Sequence, residues 1–166
     1  MTIEDTENSV IRRSVIVVAA LAIAGLAAEL LIERHWGTLV RYVPWLALGA
    51  LAWAVYRLWR GPSPRQIHAA RAIAVAAIGA AGLGIALHIN ENYTAGPLDR
   101  TYSLIWDSMS EPQRWWAAFS KSLGPAPTFA PAALALIGLL VLVATQRHPV
   151  LSRAGTTSLV GGRGDI

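Results

Sequence analysis

Four stretches of the chain are almost continuously apolar, and each is long enough to cross the hydrocarbon core of a membrane. They run from about Ser14 to Ile32, Thr38 to Trp59, Ala69 to Ile89 and Pro127 to Thr145. Crossing the core takes about 20 helical residues at roughly 1.5 Å each. Because the stretches are apolar all around a helix, they must face lipid or other helices. The pattern predicts an all-α integral membrane four-helix bundle, with residues 1–148 as a single transmembrane domain and 149–166 as a flexible tail.

The composition argues against several classes of soluble protein. AVILMFWYC residues make up 54% of the 166 positions, and Asp, Glu, Lys and Arg make up 14%, whereas a soluble domain carries about 25% charged residues. This deficit argues against a soluble enzyme, a disordered chain and a nucleic-acid-binding protein, although the formal charge is +4. Because the chain has no cysteine, disulfide scaffolds, thiolate metal sites and cysteine nucleophiles are excluded as well.

The basic residues are divided unevenly between the two predicted sides of the membrane. The N-terminus, the second loop and the C-terminal tail hold nine basic and four acidic residues, a balance of +5, and the other side holds five basic and six acidic residues, a balance of −1. The positive-inside tendency therefore predicts a cell-membrane location with both termini in the cytoplasm. The nine basic residues are Arg12, Arg13, Arg57, Arg60, Arg65, Arg71, Arg147, Arg153 and Arg163.

Small residues recur at four-residue spacing in the predicted spans. The longest row is Ala72, Ala76, Ala80 and Gly84 in the third span. Membrane helices associate through close approach of their backbones, which small side chains permit. We expect this row to lie at the centre of an intramolecular four-helix bundle, and the alternative is an intermolecular seam that docks a larger complex.

The loop over residues 90–126 is predicted to form an outer cap of two short amphipathic helices. Ser110-Glu-Pro-Gln113 has the form of a capping box, and the helix that it starts is expected to run from Glu111 to Leu123 and to end at Gly124-Pro125. Asp99 is placed to cap the earlier piece. In that piece, apolar residues recur at helical spacing at Tyr102, Ile105, Trp106 and Met109.

The cap concentrates large aromatic side chains that we predict to be interface residues. They are Trp106, Trp115, Trp116 and Phe119. Tryptophan is enriched among the residues that dominate binding energy at protein interfaces. The cap therefore either closes the top of the bundle against lipid headgroups, or serves as a docking surface or a lid over a cavity.

Ionisable residues near the outer ends of the spans are weak candidates for a metal site. They are Glu29, His88, Glu91 and Asp99. Glu29 lies about one turn inside the first span, where a charge is costly, and His88 and Glu91 share a helix face. Histidine and carboxylates together can hold a divalent cation or relay protons. Since no established ligand spacing is present, the alternative is a set of solvated helix ends, and the sequence requires no cofactor.

Four strings in the C-terminal half resemble small, uncharacterised multi-pass bacterial membrane proteins. The strings are His88-Ile-Asn-Glu-Asn-Tyr93, Ala95-Gly-Pro-Leu-Asp99, Arg114-Trp-Trp116 and Gly124-Pro-Ala-Pro127. The resemblance implies a four-helix protein of the bacterial inner membrane, and it carries no activity. A further motif, Asn92-Tyr-Thr94, matches the N-glycosylation pattern, which has meaning only in a host that glycosylates this side of the membrane.

These features predict a non-enzymatic accessory, assembly or stabilising subunit that docks a partner through its tryptophan-rich cap. No catalytic constellation is recognisable, so we do not expect an enzyme. The expected partners are membrane lipid and a partner membrane protein or a second copy of the chain, and nucleic acid is not expected. The alternative is a protein that binds or transports cations or protons through the His and carboxylate residues.

Overall fold

The computed structural model describes residues 3–120 and 128–151, and within these ranges it contains helices and turns but no strand. The predicted all-α class is therefore confirmed for the described residues. The helices are α1 (Ile3–Ile32), α2 (Leu39–Arg60), α3 (Pro64–Ala95), α4 (Glu111–Phe119) and α5 (Ala132–Thr145), with short 3-10 helices at Gly96–Leu98 and Trp106–Ser108.

Three helical segments are long and apolar enough to cross a membrane: Thr6–Ile32, Leu39–Arg60 and Pro64–Leu98. Much of their apolar surface is uncovered, since Leu21 is 68%, Leu46 73% and Val75 60% exposed. Holding apolar surface in water costs about 25 cal/mol per Å², and a lipid environment removes that cost. Length, composition and exposure together indicate a membrane protein.

The fourth predicted span, from about Pro127 to Thr145, appears as a shorter apolar helix. Pro127 lies outside the described residues, residues 128–131 form a turn, and α5 covers the 14 residues Ala132–Thr145. Pro131 has no backbone N–H and favours a helix start, so α5 begins directly after it. At roughly 1.5 Å per residue, α5 is about 21 Å long, whereas the hydrocarbon core is about 30 Å thick. The length required for a membrane span is therefore confirmed for three helices.

The chain divides into two compact units. Unit 1 consists of Met1–Ile78 and Leu134–Ile166, and unit 2 consists of Gly79–Ala133. The single transmembrane domain predicted for residues 1–148 stays a prediction. Most of the predicted tail lies outside the described residues, but its first three positions, 149–151, form a helical turn.

The core of unit 1 is built from one face of each helix. On α2 the buried residues follow helical spacing: Leu48, Leu51, Ala54, Val55 and Leu58. Between α3 and α5 the backbones approach closely, because a Cβ added to Gly138 would lie 2.9 Å from the carbonyl oxygen of Ala74. Small residues thus permit close helix contact, as expected for helices that pack in a membrane.

The buried small residues of α3 are not the predicted row. Ala70, Ala74, Ala77 and Ala81 are each at most 2% exposed, whereas Ala72 and Ala76 are exposed. The prediction that the row from Ala72 lies at the bundle centre is therefore wrong. Alanine occurs on nearly every face of this helix, so four-residue spacing alone does not distinguish one face from another.

Candidate functional site

The candidate site lies in unit 2, in residues 96–120, which we call the aromatic loop. Helix α3 continues past its predicted end at Ile89 as far as Ala95, and a 3-10 helix follows at Gly96–Leu98. The candidate metal residues His88 and Glu91 therefore both lie on helical backbone, and Asp99 follows the 3-10 helix directly. The aromatic loop thus begins directly after the last α-helical residue of α3, Ala95.

Trp106 is the centre of the aromatic loop and not part of its surface. Its side chain is 4% exposed, and the ring of Tyr93 meets its ring edge-on at 5.4 Å and 72°. A Cβ added to Gly96 would overlap the six-membered ring of Trp106, so only glycine fits there. The other residues of this core are Tyr102, Met109 and Ala117. Trp106, predicted as an interface residue, therefore supports the surface from beneath, because burying its large ring stabilises the loop.

Arg114 connects α4 to the 3-10 helix that contains Trp106. Its Nε donates to the carbonyl oxygen of Trp106 at 2.9 Å and its Nη2 to that of Asp107 at 3.2 Å. The guanidinium carbon lies 5.6 Å from the centre of the Trp106 ring, a cation–π distance. Arg114 also pairs with Glu111 at 3.3 Å, and Glu111 accepts a hydrogen bond of 2.8 Å from the Tyr93 hydroxyl. This network fixes the position of α4.

Asn92 provides a second attachment for α4. Its side chain is fully buried, and its Nδ2 donates to the carbonyl oxygen of Ala118 and to Oγ1 of Thr128, both at 3.3 Å. A buried amide stabilises a structure when its hydrogen bonds are made and destabilises it when they are not. Asn92 therefore ties the end of α3 both to α4 and to the chain that follows. The Asn92 side chain, which would carry a glycan in this motif, is inaccessible in the folded protein.

The predicted capping box at Ser110 is confirmed, whereas Asp99 bonds the backbone of a turn and caps no α-helix. The backbone N–H of Ser110 donates to Oε1 of Gln113 at 2.9 Å, as in a capping box. Oδ1 of Asp99 accepts from the N–H of Thr101 at 2.8 Å and from that of Tyr102 at 3.3 Å. The segment after Asp99 forms turns and the 3-10 helix Trp106–Ser108 instead of an α-helix. The predicted stop at Gly124-Pro125 lies outside the described residues, and α4 ends at Phe119.

The surface of unit 2 presents a group of exposed aromatic side chains, which we call the aromatic face. Trp115 is 45%, Trp116 68%, Phe119 38% and Phe129 55% exposed. Their rings are in contact with one another or with the loop core. The centroids of Trp116 and Phe119 are 5.7 Å apart, those of Phe119 and Phe129 5.4 Å, and Trp115 stacks on Tyr93 at 4.3 Å. Phe129 was not predicted, because it lies in the predicted fourth span and its apolar neighbours gave no sign of its exposure.

An open groove lies beside Trp116. Its volume is about 530 Å³, and its apolar wall includes Ile105, Met109 and Trp116, with Tyr102 and Gln113 adding polar groups. Because the groove is open to solvent, it is a shallow depression in the surface and not an enclosed ligand pocket. The groove and the aromatic face together form the candidate docking surface.

The four predicted metal-site residues are divided between the two units. Glu29 lies in unit 1 with its side chain exposed, and His88, Glu91 and Asp99 lie in unit 2. In the part of the chain that the structure describes, no group of three or more histidine or acidic side chains is placed to hold a metal ion. The site therefore stays a prediction, and no specific observation favours the alternative function of cation or proton handling.

No protein-family model, no curated protein and no solved structure matches this chain. The resemblance to small bacterial membrane proteins stays a prediction, and the functional conclusion depends on the site itself.

Proposed function

We propose that this chain is a multi-pass membrane protein that acts as an accessory or assembly subunit and docks a partner membrane protein through the aromatic face. In this proposal α5, together with the residues before it, crosses the membrane as a fourth span. Both termini lie in the cytoplasm and the aromatic loop lies on the outer side, as the charge balance favours.

The observation that carries the proposal is the exposure of large aromatic side chains on a firmly held helix. Trp116 is 68% exposed, although α4 below it is fixed by the hydrogen bonds of Arg114 and Asn92. A surface that is already ordered loses little conformational freedom on binding, so more of the contact energy contributes to affinity. Exposed tryptophans on such a helix are suited to act as binding hot spots.

A protein partner is favoured over plain lipid contact by the polar groups that border the aromatic face. Tyr102 and Gln113 line the groove beside Trp116, and the carboxylate of Glu111 is 64% exposed at the start of α4. Protein interfaces typically combine an apolar centre with a polar rim. We therefore expect a discrete protein contact here, with a side chain of the partner seated in the groove.

Site-specific photo-crosslinking in native membranes tests the proposal. A photoreactive residue replaces Leu104, which is 95% exposed and precedes the groove residue Ile105, and a control probe replaces Trp59, which is 56% exposed on α2. We expect one discrete crosslinked protein from the Leu104 probe and not from the Trp59 probe. Removal of a hot-spot side chain costs about 2 kcal/mol or more, so Trp116→Ala should reduce that crosslink at least tenfold.

The matched control for Trp116→Ala is Trp59→Ala, which removes the same ring from α2, where it is 56% exposed instead of 68%. The crosslink from the Leu104 probe should be unchanged in this variant. Equal losses in the two variants, or crosslinks to lipid alone at both positions, would refute docking through the aromatic face.

A further inference from the structure

One end of unit 1 gathers basic side chains from separate helices. Arg71 of α3 donates from Nε to Oγ1 of Thr145 at 3.2 Å and from Nη2 to the carbonyl oxygen of Thr145 at 2.7 Å, so it caps the last turn of α5. His148 follows three residues later and is 7% exposed. Burial, together with the positive charges of Arg12 and Arg71, lowers the pKa of His148 below its ordinary value. The guanidinium groups of Arg12 on α1 and Arg71 on α3 therefore both lie near the imidazole of His148.

These positive charges lack a counter-charge within the described part of the chain. No carboxylate there pairs with Arg12 or Arg71, although both side chains are partly covered. On the last turn of α2, Nε of Arg57 is buried without a hydrogen-bond partner. The connection from α2 to α3 is only residues 61–63, so Arg57 lies at the same end of unit 1. A partly buried guanidinium without a counter-charge is stabilised when an anion binds the part of the group that stays accessible.

The position of Arg12 along α1 indicates the source of such an anion. Arg12 precedes Ile32, the last residue of α1, by 20 positions, which is about 30 Å of helix and matches the thickness of the hydrocarbon core. Arg12 is therefore expected at the depth of the lipid headgroups. The guanidinium group donates two parallel hydrogen bonds in a geometry that suits a phosphate group.

We propose that Arg12, Arg57 and Arg71 form a binding site for the phosphate of an anionic lipid headgroup at this end of unit 1. The site consists of unit 1 residues alone and does not depend on the proposed docking function. The bound phosphate accepts hydrogen bonds from accessible guanidinium nitrogens, not from the buried Nε of Arg57, and it offsets the mutual repulsion of the basic groups.

Native mass spectrometry of the full chain in mild detergent tests the proposal. The protein is mixed with phosphatidic acid, with phosphatidylcholine of the same acyl chains, or with inorganic phosphate, and bound adducts are counted. We expect phosphatidic acid to be retained at least tenfold better than phosphatidylcholine. Arg12→Gln should lower this retention about fivefold, which corresponds to about 1 kcal/mol for one arginine near an anionic headgroup.

Arg13→Gln is the matched control, because Arg13 is the neighbour of Arg12, is exposed and carries the same charge. We expect it to change retention less than twofold.

Arg57→Gln provides a second variant that leaves the Arg71 bonds to Thr145 in place, and it should also lower retention several-fold. Equal losses from Arg12→Gln and Arg13→Gln would show a diffuse surface attraction and overturn the proposal. Equal retention of the two lipids, or full displacement of phosphatidic acid by inorganic phosphate, would also overturn it.

Discussion

Replacing Arg114 with lysine keeps the positive charge in the aromatic loop but removes the planar fork that reaches two carbonyl groups. In the native protein Nε of Arg114 binds the carbonyl oxygen of Trp106, and Nη2 binds that of Asp107. A lysine ammonium is a single point donor without this planar fork, so we expect it to keep at most one of the two bonds in good geometry. We therefore expect Arg114→Lys to loosen the contact between α4 and the 3-10 helix.

The expected cost follows from the burial and the contacts of Arg114. Its side chain is 21% exposed, and a hydrogen bond from a charged donor in such a place contributes about 1.5 kcal/mol, the lower end of the usual range. Weaker stacking on Trp106 adds about 0.5 kcal/mol. The contact with Glu111 adds little, because that carboxylate is 64% exposed. The sum is about 2 kcal/mol, which corresponds to about a thirtyfold change in the opening equilibrium of the loop.

Hydrogen exchange measured by mass spectrometry on residues 102–109 provides the assay. The amides of Trp106 and Met109 are protected by hydrogen bonds to the carbonyls of Tyr102 at 2.8 Å and Ile105 at 3.1 Å, so their exchange reports loop opening. We expect about thirtyfold faster exchange in Arg114→Lys and unchanged exchange in α2. Arg100→Lys, at an exposed arginine of the same loop, serves as the control. Exchange in Arg114→Lys within threefold of the native rate would refute the assigned role of Arg114.

Two further predictions concern a close contact and a buried histidine. Gly96→Ala should destabilise the aromatic loop by about 1–3 kcal/mol, as overpacking does, because the added methyl group overlaps the Trp106 ring. The same hydrogen-exchange assay measures this loss of stability. The control is Gly82→Ala, which should not destabilise the protein, because a Cβ at Gly82 meets nothing within 4 Å. The lowered pKa of His148 means that the unfolded chain takes up a proton first as the pH falls below about 6.5. Thermal unfolding in detergent should therefore show stability that decreases from about pH 6.5 downward and levels off below the lowered pKa. His148→Gln should flatten this part of the pH profile. A native profile that stays flat over this range would contradict the burial of a neutral imidazole.

The helices and caps were predictable because each depends on residues close together in the sequence. The capping box at Ser110 and the backbone bonds of Asp99 span two or three positions, so their patterns are visible in the chain, although Asp99 starts a turn and not the predicted helix. The helix ends were less predictable. Helix α1 begins at Ile3 and not near Ser14, because the end of an apolar stretch indicates where lipid contact ends, while the helix itself continues through polar residues.

The contacts that define the candidate sites connect residues far apart in the sequence. Arg71 and Thr145 are 74 positions apart, and Asn92 and Thr128 are 36 apart. Neither pair belongs to a periodic pattern, so no local signal indicates that these polar side chains are partners. The absence of a local signal also explains why Trp106 was predicted to lie at an interface. Sequence spacing identified it as part of an apolar face but did not show that this face packs inward on Gly96.

The burial of Asn92 has a practical consequence for the production of this protein. Its Nδ2 is the atom that would carry a glycan, and it already donates to Ala118 and Thr128 within a fully buried site. A host that glycosylates Asn92 during synthesis would therefore yield chains whose aromatic loop is unable to close. Changing Thr94, which is exposed and bonds only locally to the carbonyl oxygen of Asn90, to alanine removes the sequon and preserves Asn92. Expression in a host without N-glycosylation achieves the same result with the native sequence.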